Sequence, residues 1–233
     1  MQYINMNRTK HILTFEDPIE YSHPNIKSRI TQRELGGDTR SMAEALKHAM
    51  RLDPDVIVVG EMRDSETAAA VISLAETGHL VISTSHAPYA PQTIERIIDL
   101  FPADERHLVQ MRLASLLSVV MCQTLVPRSN GSGRIAAVEI MQVNAAVRNL
   151  IREGKITQVS NAVRDYRESG SNTFDESLID LYRRGLITWE TVATYCHDLD
   201  EVNSLLTEAM RTKAQAGKKT QPTAQTSVKN QSK

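Results

Sequence analysis

Three short stretches constrain this chain more than anything else in it: "HILTFE" (11–16), "VIVVG" (56–60) and "LVISTS" (80–85). Each is a nearly continuous apolar, β-branched run. A strand with one wet face would alternate polar and apolar residues, so unbroken runs predict strands covered on both faces, as in parallel sheets. Helical patterns lie between them. "SMAEALKHAMR" (41–51) gathers Met42, Ala45, Leu46, Ala49 and Met50 on one face. "SETAAAVISLAE" (65–76) opens with Ser65 as an N-cap candidate and carries Glu66 and Thr67 in its first turn. Strands alternating with helices predict a parallel α/β sheet.

Each run ends in polar chemistry. Glu16, Asp17 and Glu20 follow the first, Glu61, Arg63 and Asp64 the second, and Ser83, Thr84, Ser85 and His86 close the third. Open α/β sheets bind ligands outside the carboxyl ends of their strands. Carboxylates gathered there repel one another unless a cation joins them, so the expected ligand is an anion accompanied by a hard cation. Every element has a plainer reading: an acid-Pro turn, an exposed acid after a buried strand, a structural histidine. Their occurrence together at three strand ends favours a site. His79, at a strand entrance between Gly78 and Leu80, reads as structural or interfacial as readily as catalytic, and His11, His23, His48, His107 and His197 lack partners at metal-ligand spacing.

Beyond the third strand, "PQTIERIIDLF" (91–101) and "DERHLVQMRLASLLSVVMCQTL" (104–125) read as helices by period. "TLVPRSNGSGRIAAVEIM" (124–141) reads as a hairpin around Asn130-Gly131-Ser132-Gly133. From Asn144 onward the pattern is helical, with breaks near Gly154, Gly170, Gly185 and His197. This predicts an α/β part over 1–142, a small all-helical part over 143–208 and a tail over 209–233. The tail holds six basic residues and no acid, leaving −7 on the remainder of a chain whose net charge is −1. With little to bury, it is expected to be disordered. The near-zero net charge gives no reason to expect nucleic acid. Two distant cysteines, Cys122 and Cys196, point to a reducing compartment and exclude a four-cysteine zinc site. No apolar run approaches membrane-spanning length, so no membrane insertion is expected and a cytoplasmic location is.

"ILTFEDPIEY" (12–21), "DPDVIVVGEMRD" (53–64), "AETGHLVISTSHA" (75–87) and "VRNLIREGKI" (147–156) resemble, in that order, motifs of the secretion-type hexameric ATPases, closest to their PilT-like pilus-retraction branch. The resemblance covers about residues 1–208. It implies a RecA-like P-loop ATPase core, incomplete here, followed by the helical subdomain. ATP and Mg²⁺ are the implied cofactors. Implied too are a homo-hexamer and cytoplasmic attachment, at the inner face of the cell membrane, to a pilus platform protein. Residue by residue, Glu61 resembles the Walker B glutamate that helps hold Mg²⁺ and polarises the attacking water. Glu16 resembles the aspartate-box acid, a second candidate for orienting water, and His86 the histidine that contacts the γ-phosphate. Arg63 and Asp17 fall beside them as nucleotide-binding candidates, while Glu20 is given a structural or interface role. Gly60 stands where many other P-loop ATPases carry aspartate. Ala146, Val147, Arg148, Asn149, Leu150, Ile151, Arg152 and Glu153 match a retraction-linked string, and their period puts Val147, Leu150 and Ile151 on one face. The missing zinc module argues against a type II secretion or pilus-extension motor.

One part of the family pattern is missing. The 233 residues contain no G-x-x-x-x-G-K-[ST], the loop whose backbone amides cradle phosphates. Gly154-Lys155 is followed by Ile156, and Gly217-Lys218 by Lys219. "MQYINMNRTK" (1–10) resembles the end of the helix that follows the P-loop. The chain is therefore expected to be a C-terminal portion of a motor, inactive alone, with an exposed apolar sheet edge. The alternatives are a non-hydrolysing adaptor of an intact motor, or the ATPase of a related secretion or conjugation machine.

Overall fold

A computed structural model describes residues 1–165 and 170–207. The expected tail, 209–233, lies outside the described residues. Four parallel strands form one sheet in the order β2-β1-β3-β4, with β1 at His11–Glu16, β2 at Arg29–Glu34, β3 at Val56–Val59 and β4 at Leu80–Ser83. The central strands are the apolar ones: Ile12, Leu13, Phe15, Ile57 and Val59 are wholly buried. The register sets Phe15 beside Val59 and Val59 beside Ser83, so the carboxyl ends of β1, β3 and β4 finish level with one another. Helix α1 (Gln2–Asn7) leads into β1 and buries Asn5. The Asn5 side chain donates to the Pro24 carbonyl at 2.9 Å and accepts from Ile26 N–H at 3.1 Å, pinning the β1–β2 connection.

Helices α2 (Met42–Ala49) and α3 (Ser65–Glu76) cover one face, where Leu46 and Leu74 pack against Leu13, Phe15, Ile57 and Val59. Each such side chain contributes about 1.5–3 kcal/mol of burial. Helix α3 also presents Ala68 and Ile72 to a second cluster with Ile97, Phe101, Val109 and Leu113 of the α4–α5 region, α4 spanning Ala90–Asp99 and α5 Arg106–Leu116. The N-cap of α3 is Asp64 rather than Ser65: its carboxylate accepts from Thr67 N–H at 2.7 Å and from the Thr67 hydroxyl at 3.0 Å. Asp64 is thereby engaged as a helix cap.

Two sequence expectations are corrected. The helix expected over 104–125 ends at Leu116, and β5 already runs from Val119 to Pro127. Its burial alternates, with Val120, Cys122 and Val126 inside and Val119, Met121 and Leu125 outside, so a period of two overrides an apolar content that also fits a helix. Strand β2, "RITQRE", was not anticipated, because a half-buried edge strand needs no apolar run. Strand β6 (Arg134–Gln142) completes the expected hairpin, with Gly131 and Gly133 at φ +71° and +72°.

The chain forms two compact units. Among the described residues, one unit comprises Met1–Thr124 and Val138–Thr173, the other Leu125–Ala137 and 174–207. The first therefore includes α6 (Ala145–Arg152) and α7 (Val159–Asp165), because Val147, Ile151, Val159 and Val163 bury against Ile94, Ala114 and Met141. The second holds α8 (Phe174–Arg183) and α9 (Trp189–Tyr195), whose Phe174, Leu178 and Val192 bury with Val126 and Ala137. Among the described residues no helix is long and apolar enough to cross a membrane.

Candidate functional site at the strand ends

The ends of β1 and β3 approach closely at Gly60. Gly60 N–H donates to the Phe15 carbonyl at 2.8 Å, and a Cβ on Gly60 would lie 3.3 Å from that oxygen and 3.4 Å from Glu16 Cα. This close approach brings the end of β1 alongside Gly60 and sets Glu61 level with Asp17 on the neighbouring strand, and it gives a physical reason for glycine at this position.

Glu61 is the centre of the polar cluster, with its side chain only 22% exposed. Its Oε2 accepts from Arg63 Nε at 2.7 Å, and His86 Nε2 lies 3.1 Å from Oε1. Arg63 Nη1 reaches Asp17 Oδ2 at 3.2 Å. The Arg63 hydrogen bond holds the Glu61 carboxyl below its usual range, outweighing the opposing effect of desolvation, and the charges of Arg63 and His86 add to the lowering. Glu61 is thus an ionised acceptor near neutral pH. The same pairing raises Arg63 above the ordinary arginine value, Glu61 contributing more than Asp17. The arginine is spent on the two carboxylates. His86 is 74% exposed, so the histidine closes the cluster from the solvent side. Its backbone is held by Arg96 of α4, whose Nη1 donates to the His86 carbonyl at 2.7 Å. The Thr84 hydroxyl donates to the Gly60 carbonyl, tying the end of β4 to that of β3.

Glu16 closes β1 at the same end of the sheet and has partners of its own. Its Oε1 accepts from the Thr14 hydroxyl at 2.7 Å and from Gln32 Nε2 at 2.9 Å. Glu34, the β2 residue paired with Glu16, accepts from Ile19 N–H at 2.9 Å and so anchors the Asp17-Pro18 turn. Of the residues proposed from sequence, Glu16, Asp17, Glu61, Arg63 and His86 gather at one sheet end. Glu20 is exposed outside these contacts. His79 sits before β4, at the opposite end of that strand, where Nδ1 lies 3.0 Å from both the Leu74 carbonyl and the Thr77 hydroxyl at the close of α3. Thr14, Gln32, Glu34 and Arg96 were missed. Thr14 was legible as the residue two before Glu16 on the same strand face, whereas Gln32 and Glu34 sit on the unforeseen strand.

Clustered acids raise the question of a metal. Among the described residues no three of His, Cys, Asp and Glu converge to hold an ion. Both Glu61 oxygens face donor groups, Arg63 and His86, so the cluster offers a hard cation one carboxylate contact at most.

The retraction-like string forms α6. Asn144 caps it by accepting from Val147 N–H at 2.9 Å, and Val147 and Ile151 are wholly buried. Arg148 turns inward, donating to the carbonyls of Ala114 and Ser115 at 2.9 and 2.7 Å and so satisfying the end of α5. The helix closes in a Schellman motif: Gly154 at φ +71°, its N–H on the Ile151 carbonyl, and Lys155 N–H on the Leu150 carbonyl. Asn149, Arg152 and Glu153 remain exposed, and Lys155 holds the Glu153 carboxyl below its usual range.

With this geometry in view, the likenesses to known proteins converge. The family described as type II/IV secretion system protein matches residues 1–194. The chain is 50% identical over 190 residues to a twitching motility protein of Neisseria gonorrhoeae, covering 82% of this chain and 51% of that protein. It is 46% identical over 190 residues to the type IV pilus retractation ATPase PilT of Pseudomonas aeruginosa, covering 82% and 55%. The crystal structure of the pilus retraction motor PilT with bound ADP superposes with a TM-score of 0.79 at 44% identity, over 87% of this chain and 57% of that one. The sheet and its helices are therefore the α/β core of a PilT-type, RecA-like ATPase fold. The chain spans about half the length of the curated relatives it matches. It belongs to the type II/IV secretion system protein family.

Proposed function

We propose that this chain is the C-terminal portion of a motor ATPase whose ATP hydrolysis drives retraction of a type IV pilus. The observation that carries this reading is Glu61, held ionised by Arg63 and His86 at the end of β3, at the same end of the sheet as Glu16. Phosphoryl transfer asks a protein mainly to position the attacking water and to offset developing charge. In this reading Glu61 and Glu16 are the acceptors that orient that water, and His86, exposed on the solvent side of Glu61, contacts the γ-phosphate. Arg63 keeps Glu61 and Asp17 from repelling each other. Glu61 would be the residue that helps hold Mg²⁺, and the ion would supply positive charge to offset that of the phosphates.

The family likeness supports a ring of six subunits at the cytoplasmic face of the membrane, working on a platform protein of the pilus machine. Retraction rather than extension is supported by the names of the relatives and by the α6 string. With no phosphate-cradling loop in its 233 residues, the chain alone is expected to bind Mg·ATP no tighter than about 1 mM, and to hydrolyse it poorly. The test is complementation of a bacterium that assembles pili but cannot retract them. The full-length gene containing this sequence should restore twitching, and its Glu61→Gln variant should not. Restoration by Glu61→Gln would refute the reading.

A further inference from the structure

We infer that Gln32 is a positioning residue for the Glu16 carboxylate, an inference that rests on the catalytic reading of Glu16 above. Gln32 lies on β2 in register with Thr14 of β1. Its carboxamide makes three hydrogen bonds: Nε2 to Glu16 Oε1 at 2.9 Å, Nε2 to the Tyr21 carbonyl at 3.0 Å, and Oε1 from His23 N–H at 2.8 Å. The direction of the amide is dictated by these partners. A backbone N–H can only donate, so the Gln32 oxygen must face His23; the NH₂ group then has to face the Tyr21 carbonyl and the carboxylate, which can only accept. No flipped arrangement satisfies all three.

The consequence falls on Glu16. Its Oε1 is held from two sides, by the Gln32 NH₂ and by the hydroxyl of the wholly buried Thr14. Its Oε2 has no hydrogen-bond partner among the described residues. One oxygen is fixed and the other is left to accept from water, and a carboxylate that orients a nucleophile needs that asymmetry. Gln32 also fastens the 21–23 segment, through its bonds to Tyr21 and His23, to the strand that carries this donor. The turn after β1 and the acid at its start therefore share one anchor.

The test is a double-mutant cycle on ATP hydrolysis by the full-length protein that contains this sequence. Gln32→Leu should lower kcat roughly 10-fold or more, with KM for ATP little changed, because orientation is lost and binding is not. In a Glu16→Gln background, where the carboxylate is already gone, the same change should cost almost nothing further. Gln32→Glu keeps the shape and the acceptor for His23 but loses the donor toward Glu16. It should behave like Gln32→Leu, and it keeps the test valid if the leucine variant does not fold. Thr14→Ser should retain activity where Thr14→Val loses it. Equal, additive losses in both backgrounds would overturn the positioning role while leaving Glu16 in place, as would a wild-type kcat for both Gln32 variants. A Glu16→Gln variant with wild-type kcat would instead overturn the catalytic reading of Glu16, and this inference with it.

Discussion

The strand-end cluster and helix α6 both stand out in the sequence as motifs, yet the fold treats them in opposite ways. At the strand ends the charged groups face one another at the sheet edge: Glu61 meets Arg63 and His86, Arg63 meets Asp17, and His86 is largely exposed. None of these side chains fills a core. In α6 most of the matching string is engaged in packing and capping. Val147 and Ile151 are buried, Leu150 packs against the same cluster, and Arg148 is bonded to the carbonyls at the end of α5. The string singled out in the sequence by resemblance is thus accounted for largely by how one helix seats on another. Only Asn149, Arg152 and Glu153 are left facing outward to meet anything else.

That contrast can be broken or sharpened by mutation. The largest effect is expected at the strand ends. Glu16→Gln in the full-length protein should slow ATP hydrolysis about 100-fold, with the melting temperature unchanged, as steady-state kinetics and calorimetry will show. In α6 the order reverses. Ile151→Ala removes a wholly buried side chain and should cost about 2–5 kcal/mol in denaturant unfolding of this chain. Arg148→Ala leaves the Ala114 and Ser115 carbonyls without their donor and should cost about 1–3 kcal/mol by the same measurement, whereas Arg152→Ala should stay within about 0.5 kcal/mol. Equal costs at positions 148 and 152 would remove the distinction between anchoring and exposed residues.

A smaller effect is expected where α3 meets α5. Arg112 grips Glu76 with two hydrogen bonds of 2.7 Å and holds its carboxyl below the ordinary 4.5. A carboxyl lowered by folding stabilises the fold above its ordinary pKa, and that contribution fades as the pH falls through the lowered value. The pair is partly exposed, so Glu76→Gln should cost a few tenths to about 1 kcal/mol near pH 7. Thermal unfolding of both chains should show that gap closing below about pH 4.

How much of this was legible in the sequence follows from the same physics. Strands β1 and β3, buried on both faces, announce themselves as apolar runs; β4 carries the same kind of run although it lies at the edge with Leu80 and Ile82 exposed, so all three were legible and their ends located Glu16, Glu61 and His86. Edge strand β2 contacts one neighbour and keeps polar side chains, so Gln32 and Glu34 had no signal until the sheet was built. Strand β5 was hidden because "LLSVVMCQ" (116–123) fits a helical period as well as an alternating one. Asp64, placed by sequence among the strand-end acids, is engaged in capping α3, a use that reads equally well one residue before a helix start. The glycine at position 60 could be noticed in the sequence but not explained there. Its reason is the crowding a Cβ would meet there, 3.3 Å from the Phe15 carbonyl oxygen, which arises only once β1 and β3 are paired.

The most direct test is the steady-state ATPase rate of the full-length protein carrying Glu61→Gln, measured near neutral pH with Mg²⁺ in excess. The account predicts a rate at least about 100-fold below that of the unaltered protein, with a melting temperature within about 2 °C of it. A rate equal to the unaltered one would contradict the assignment of the strand-end cluster as the seat of hydrolysis.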